Sequence, residues 1–142
     1  MLRSLKKTDY ERYRSLIGSD ISQQYFDNFI THVLNHNHQI IVIQDSSDNL
    51  IGTGTLLIEQ KLTYGGCKMG HIENILIQED VRGKGYGERI VKNLLEVART
   101  EGCYRVDLNC HPELENFYRK NGFDRGSVSM NVYFRDNFKP EL

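Results

Sequence analysis

A mixed α/β sheet with helices packed on it is the fold class this sequence predicts, and three observations carry the prediction. The β-rich runs QIIVIQ (39–44) and LIGTGTLLIEQ (50–60) are separated by DSSDN, whose Asp, Ser and Asn suit a hairpin turn, so the two runs are antiparallel neighbours. HIENILIQ (71–78) and CYRVDLNC (103–110) flank an amphipathic run, the pattern of a βαβ unit with parallel strands. Helix-period runs occupy much of the rest, giving about four helices and six strands in a mostly antiparallel sheet.

The elements follow in order. LRSL at the start reads as a short strand, and Thr8 with Glu11 makes a capping box for a helix to about Leu16. Ser22 caps a second helix, in which Phe26, Phe29, Ile30, Val33 and Leu34 recur at helical spacing and form a core face. After the hairpin, TYGGCKMG (63–70) reads as a flexible connection into the 71–78 strand. There Ile72, Ile75 and Ile77 depart from strict alternation near Asn74, which points to a bulge. From Glu88 to about Thr100, Ile90, Val91, Leu94, Leu95 and Ala98 line one helical face, and Gly102 ends the helix. Pro112 opens a fourth helix, PELENFYRKNG, closed by Gly122, and SVSMNVYF (127–134) supplies a last strand.

A chain of 142 residues has room for one core, so a single domain, 1–142, is expected. The net charge of -1 speaks against a nucleic-acid partner, since phosphate neutralisation needs a basic surface. No apolar stretch approaches the roughly 20 residues that span a bilayer, and MLRSLKKTDY lacks the apolar core of a secretory signal. A cytoplasmic protein with no membrane association is the expectation. The three cysteines form no C-x-x-C pair, so neither a disulfide framework nor a metal site is expected.

The stretch EDVRGKGYGERIVKNLL (79–95) carries the chemistry most directly. A helix begins with N–H groups that have no intrahelical partner, so its N-terminus suits an anion. Gly83, Gly85 and Gly87 let the backbone approach that anion and adopt positive φ, while Arg82 and Lys84 add attraction. A solvated glycine turn between strand and helix has the same spacing. A P-loop is excluded because Lys84 precedes Gly85 rather than following it, and the G-x-G-x-G order does not fit a Rossmann fingerprint.

Arg82-Gly83-Lys84-Gly85-Tyr86-Gly87 resembles the R/Q-x-x-G-x-G/A motif of the GNAT superfamily of acyl-CoA N-acyltransferases, and Phe117-Tyr118-Arg119-Lys120-Asn121-Gly122-Phe123 resembles its later F-Y-x-K-x-G-F block. GHIENILI (70–77), EGCYRVDLNC (101–110) and ENFYRKNGF (115–123) together resemble the glucosamine 6-phosphate N-acetyltransferases. The resemblance implies the GNAT fold and direct acetyl transfer from acetyl-CoA to the sugar amine, without a metal. It also implies a homodimer joined through the last strand.

The same resemblance distributes the roles. It places the pyrophosphate on the backbone from Arg82 through Tyr86 and Gly87 to Glu88, and the pantetheine arm along Ile75, Leu76 and Ile77. Tyr118 is the proton donor to the departing sulfur and Glu73 the acceptor of the amine proton. Outside the resemblance, these two read as a core tyrosine and a solvent-facing glutamate. Asn74 and Asn109 stand where the family often carries acids; Asn109 can orient the amine or thioester but cannot be a base. For the sugar phosphate the implied contacts are Lys61, Leu62, Thr63, Tyr64, Tyr104 and Arg105, with Ser19 in the first interhelical loop. Arg105 suits bidentate phosphate binding. Arg135 stands in for the family's basic residue on the last strand, where this chain has Tyr133. The other readings are an acetyltransferase of the same fold acting on lysine, a protein N-terminus or a polyamine, and a non-catalytic acyl-CoA sensor.

Overall fold

The DSSDN segment folds as its composition predicts. Asp45 Oδ1 accepts the amides of Ser47 and Asn49, each at 2.9 Å, and Asp48 takes a left-handed φ of 65°, which a short polar side chain tolerates. This turn joins β2 (His38–Gln44) to β3 (Leu50–Gln60) as antiparallel neighbours. The computed structural model describes residues 1–34 and 37–138, and the chain divides into two units, Met1–Leu108 and Asn109–Leu142.

The first unit holds a five-stranded sheet in the order β1-β2-β3-β4-β5, with β1 at Leu2–Ser4, β4 at Lys68–Ile77 and β5 at Cys103–Asp107. Only β4 and β5 are parallel, joined through α3 (Tyr86–Thr100), which is the expected βαβ unit. The helix sits close to the sheet because β3 and β4 present glycines beneath it. A Cβ placed on Gly54 would lie 2.5 Å from Ile90 Cγ2, and one on Gly70 would lie 3.6 Å from Ala98 Cβ. Ile90, Val91 and Leu94 are fully buried, each contributing roughly 1.5–3 kcal/mol of burial.

The opposite sheet face carries α1 (Tyr10–Ile17) and α2 (Gln23–His32). Leu5, Tyr13, Phe26, Leu34, Ile40, Val42 and Leu50 form the core there. Ser22 caps α2 as expected, its hydroxyl accepting the Tyr25 amide at 3.1 Å. Val33 and Leu34 lie beyond the helix end, and Leu34 bridges to His38 instead.

Four further expectations are corrected in the first unit. Thr8 does not cap α1; residues Lys7–Asp9 make a 3-10 turn first, and the buried Asp9 carboxylate takes the Lys6 amide at 2.9 Å. Arg3 and Arg12 also bind Asp9, at 2.8 Å. Part of the expected flexible connection is strand: Lys68–Gly70 pair with Gln60–Ile58, because β3 is long enough to give them partners. At its far end β5 stops at Asp107, where its pairing with β4 ends, and not at Cys110. Gly87 does not take a positive φ, because α3 starts at Tyr86 and absorbs it.

In the second unit, Pro112 starts a 3-10 turn, and α4 occupies only Glu115–Lys120. Gly122, φ 93°, ends it as expected. The expected strand at 127–134 has no β pairing among the described residues. Its alternate apolar residues, Val128, Met130, Val132 and Phe134, are 81% to 96% exposed. A strand needs a partner to supply its ladder hydrogen bonds, and the described chain offers this segment none.

Candidate active site

β4 changes face at a bulge. Thr53 pairs with Leu76 but Thr55 with Glu73, so the register shifts between them. Asn74 absorbs the shift with a left-handed φ of 55°, a conformation that asparagine reaches more readily than most residues. The expected irregularity near Asn74 is therefore present, and it explains the spacing of the isoleucines. Ile75 and Ile77 lie over Gly54 and Gly52 on the α3 side, while exposed Glu73 belongs to the other face. No hydrogen bond or ion pair engages the Glu73 carboxylate among the described residues.

β5 pairs with β4 only as far as His71 and Asp107. From Ile72 to Ile77, β4 runs on without β5, leaving one backbone edge with no strand beside it among the described residues. Beyond this edge the chain turns at Glu79–Val81 and reaches α3. Gly83 and Gly85 have φ of 80° and 87°, and a Cβ on either would meet nothing within 4 Å. Gly85 caps α3 with no side-chain acceptor, so the first amides of the helix, at Tyr86, Gly87 and Glu88, face outward without a helical partner. Lys84 is exposed beside them. Arg82 turns back instead, its Nε donating to the Ile77 carbonyl at 3.0 Å, and Glu88 pairs with Lys92 at 2.8 Å. A cavity of about 620 Å³ opens between α1 and the end of β4, lined in part by Arg12, Leu16, Leu50, Leu76 and Arg82.

The structure brings together the two segments expected to bind the sugar phosphate. Tyr64, in the β3–β4 turn, packs against Tyr104 of β5, the rings tilted by 44° with centroids 5.4 Å apart. The Arg105 guanidinium lies 5.7 Å from the Tyr104 ring centre and donates to Met69 Sδ at 3.4 Å. Lys61 pairs with Glu59 at 3.8 Å, Leu62 and Thr63 are exposed, and Thr63 gives its carbonyl to the Gly66 amide at 3.0 Å. Ser19 is exposed just past the left-handed Gly18 that ends α1.

In the second unit, Tyr118 is 9% exposed, its ring 4.9 Å from that of Phe117 and 5.8 Å from that of Phe123. Burial, with the nearby Cys110 thiol second, pushes its phenol above the ordinary range, so it remains protonated near neutral pH. Asn109 and Arg135 are exposed.

Comparison with known proteins then fixes the family. A sequence model described as Acetyltransferase (GNAT) family matches residues 2–123. The chain belongs to the GNAT family. A protein of Oryza sativa subsp. japonica named "Probable glucosamine 6-phosphate N-acetyltransferase 2" is 35% identical over 94% of this chain and 87% of its own length. The glucosamine 6-phosphate N-acetyltransferase of Candida albicans is 35% identical over 90% of this chain and 91% of its own length. The crystal structure of glucosamine-6-phosphate N-acetyltransferase from Arabidopsis thaliana superposes with a TM-score of 0.90 at 29% identity, covering 95% of this chain and 98% of that one.

In this GNAT chain, Glu73, the β4 edge without a strand beside it among the described residues, the α3 amides, the Tyr64–Tyr104 pair and Arg105 all lie in the first unit. Sequence reasoning missed His71, which lies between Glu59 and Asp107 on the same sheet face as Glu73. The available signal was polar residues at matching alternate positions of three β-rich runs. No group of three or more His, Cys, Asp or Glu among the described residues is arranged to hold a metal ion.

Proposed function

We propose that this chain is a glucosamine 6-phosphate N-acetyltransferase. It moves acetyl from acetyl-CoA to the 2-amino group of D-glucosamine 6-phosphate, giving N-acetyl-D-glucosamine 6-phosphate and CoA on the way to UDP-N-acetylglucosamine. The observation that carries this reading is near-full-length similarity to enzymes of that name, in a chain that has Glu73 in β4 and Tyr118 in α4.

Acetyl-CoA supplies the acetyl group as an activated thioester. Its pyrophosphate fits the N-terminus of α3, where two left-handed glycines keep side chains away and no side-chain cap competes. The open edge of β4 at Ile75, Leu76 and Ile77 offers the pantetheine amides what it would offer a peptide strand. Glu73 takes the proton that leaves the amine, directly or through water. A modest base suffices, because electron-withdrawing oxygens make this amine less basic than lysine. Tyr118, kept protonated by its burial, gives a proton to the departing sulfur. Asn109 orients the reacting groups. Arg105, with Lys61, Leu62, Thr63, Tyr64, Tyr104, Asn74 and Ser19, holds the sugar phosphate, and Arg135 adds a cation from the second unit.

The chain is one catalytic domain, 1–142, a reading supported by the family match, which spans residues 2–123 and so extends past Leu108. The enzyme is a homodimer in which 127–134 finds its strand partner in a second copy; four exposed, alternating apolar residues support this. The reaction belongs in the cytoplasm, since both substrates are phosphates that do not cross membranes unaided. Among the described residues no helix is long and apolar enough to span a membrane.

Thiol release from acetyl-CoA tests the reading, with glucosamine 6-phosphate, glucosamine, spermidine and a lysine peptide in parallel. Release confined to glucosamine 6-phosphate is expected. Release with another amine alone replaces the acceptor and keeps the acetyl-CoA site.

A further inference from the structure

Three strands meet at one imidazole. His71 Nδ1 of β4 lies 2.5 Å from Asp107 Oδ1 of β5, and its Nε2 lies 2.9 Å from Glu59 Oε1 of β3. An ionised carboxylate only accepts, so both contacts are hydrogen bonds at once only when both ring nitrogens carry protons. The arrangement is then charge-assisted on each side. Partial burial opposes the ring's charge, but hydrogen bonds to Glu59 and Asp107 outweigh it and hold His71 above the ordinary imidazole range. The hydrogen bond to His71, and then the Lys61 charge, hold Glu59 below the usual carboxylate range.

The position of this ring matters as much as its partners. His71 and Asp107 are the last pair that β4 and β5 share before the strands part. Glu73 follows two residues later on the same face, separated only by Ile72, which is buried on the α3 side. A tie at this point sets where the parted strands begin.

We propose that His71 is a positioning residue for acetyl transfer: as an imidazolium shared by Glu59 and Asp107, it fastens β3, β4 and β5 where the sheet opens, fixing both the cofactor-pairing edge of β4 and the place of Glu73. This rests on the acetyl-CoA reading of that edge. A neutral ring has one donor, so deprotonation leaves one carboxylate facing a lone pair and loosens the tie. The other charged groups on this face do not replace it. Among the described residues Lys61 pairs with Glu59, Arg105 lies against Met69, and Glu73 carries no donor that could take the imidazolium's place. Because the folded value is raised, the tie is complete below the ordinary imidazole value and is lost as pH rises through the folded one.

The test uses the full chain. Calorimetry of acetyl-CoA binding from about pH 6 to about pH 9 is expected to show a loss of affinity of about three- to tenfold on the alkaline side. His71→Gln removes the pH step. His71→Arg, which keeps several donors and a charge that does not titrate, holds the tighter affinity throughout. Glu59→Gln and Asp107→Asn each move the step to lower pH, and ring titration followed by NMR moves with it. A ring that titrates as free imidazole overturns the proposal, as does a His71→Gln variant that keeps the step. Uniform weakening at every pH without recovery in His71→Arg also overturns it, reducing His71 to a structural support. Failure of the acceptor assignment is distinguishable: it gives intact acetyl-CoA binding without thiol release on adding glucosamine 6-phosphate.

Discussion

Thr55 of β3 faces Glu73 of β4, one step out of register with the neighbouring pair of Thr53 and Leu76. That mismatch turns Glu73 to one face of the sheet and Ile75 to the other, with Asn74 at φ 55° between them. Asn74→Val is expected to destabilise the fold by about 1–2 kcal/mol, because a β-branched residue resists left-handed φ. It should also lower turnover by displacing Glu73. Asn74→Gly keeps the bend and should retain most of the stability. Urea midpoints and initial rates for both variants check this, and an unaffected Asn74→Val would remove the bulge as the device that orients Glu73.

The amides at the start of α3 make a second case. Gly85 is left-handed and open to solvent, so Gly85→Val strains the turn and sets a side chain where the pyrophosphate approaches. Its acetyl-CoA dissociation constant should rise at least about tenfold, equivalent to about 1.4 kcal/mol. Calorimetry with CoA reads it directly, and unchanged affinity would displace the pyrophosphate from this turn.

Tyr118→Phe keeps the ring contacts with Phe117 and Phe123 and removes only the hydroxyl. Turnover should fall by about 10²- to 10⁴-fold, with little change in acetyl-CoA affinity. Single-turnover kinetics isolates the chemical step. An equal rate there would dismiss the phenol as proton donor.

Arg105 should separate phosphate from sugar. Arg105→Ala is expected to raise KM for glucosamine 6-phosphate by about ten- to a hundredfold, the range of one hydrogen bond to a charged group. The rate with unphosphorylated glucosamine should hardly move. Parallel losses on both acceptors would mean that Arg105 supports the strand and not the phosphate.

Asp9 predicts acid sensitivity of the first unit. Burial raises the cost of its charge, but Arg3, the Lys6 amide and Arg12 outweigh this and hold its carboxyl below the usual range. A depressed folded value contributes stability above the unfolded one, and that contribution is lost as pH falls through the folded value. Asp9→Ala should cost about 3 kcal/mol near neutral pH by leaving Arg3 unpaired and should flatten the acid side of the stability curve. Denaturant titrations at several pH values decide it.

Elements whose local pattern and tertiary setting agree were legible from residues alone. β3 matches its expected span of 50–60, and Ser22 caps α2 where its side chain predicts. Pairing beyond the local window was not legible. The glycines at 65 and 66 argued for a loose connection, yet residues from Lys68 onward join the sheet because the long β3 supplies hydrogen bonds. The 127–134 segment has strand chemistry but no partner in the described chain. Residues proposed for the site from a contiguous motif, such as 82–88, could be named at once. The grouping of Glu59, His71 and Asp107 could not, since it exists only once three strands are in register.

The glycines under α3 have a consequence for sequence change. Gly52, Gly54 and Gly70 leave so little clearance for Ile77, Ile90, Leu94 and Val106 that a methyl group on any of them demands a shift in its neighbours. In a randomised library these positions would behave as one linked site, tolerated in combination and rejected singly. Variants selected for tighter cofactor use would then carry paired changes in strand and helix, with Gly54 and Gly70 changing together with the helix residues packed over them.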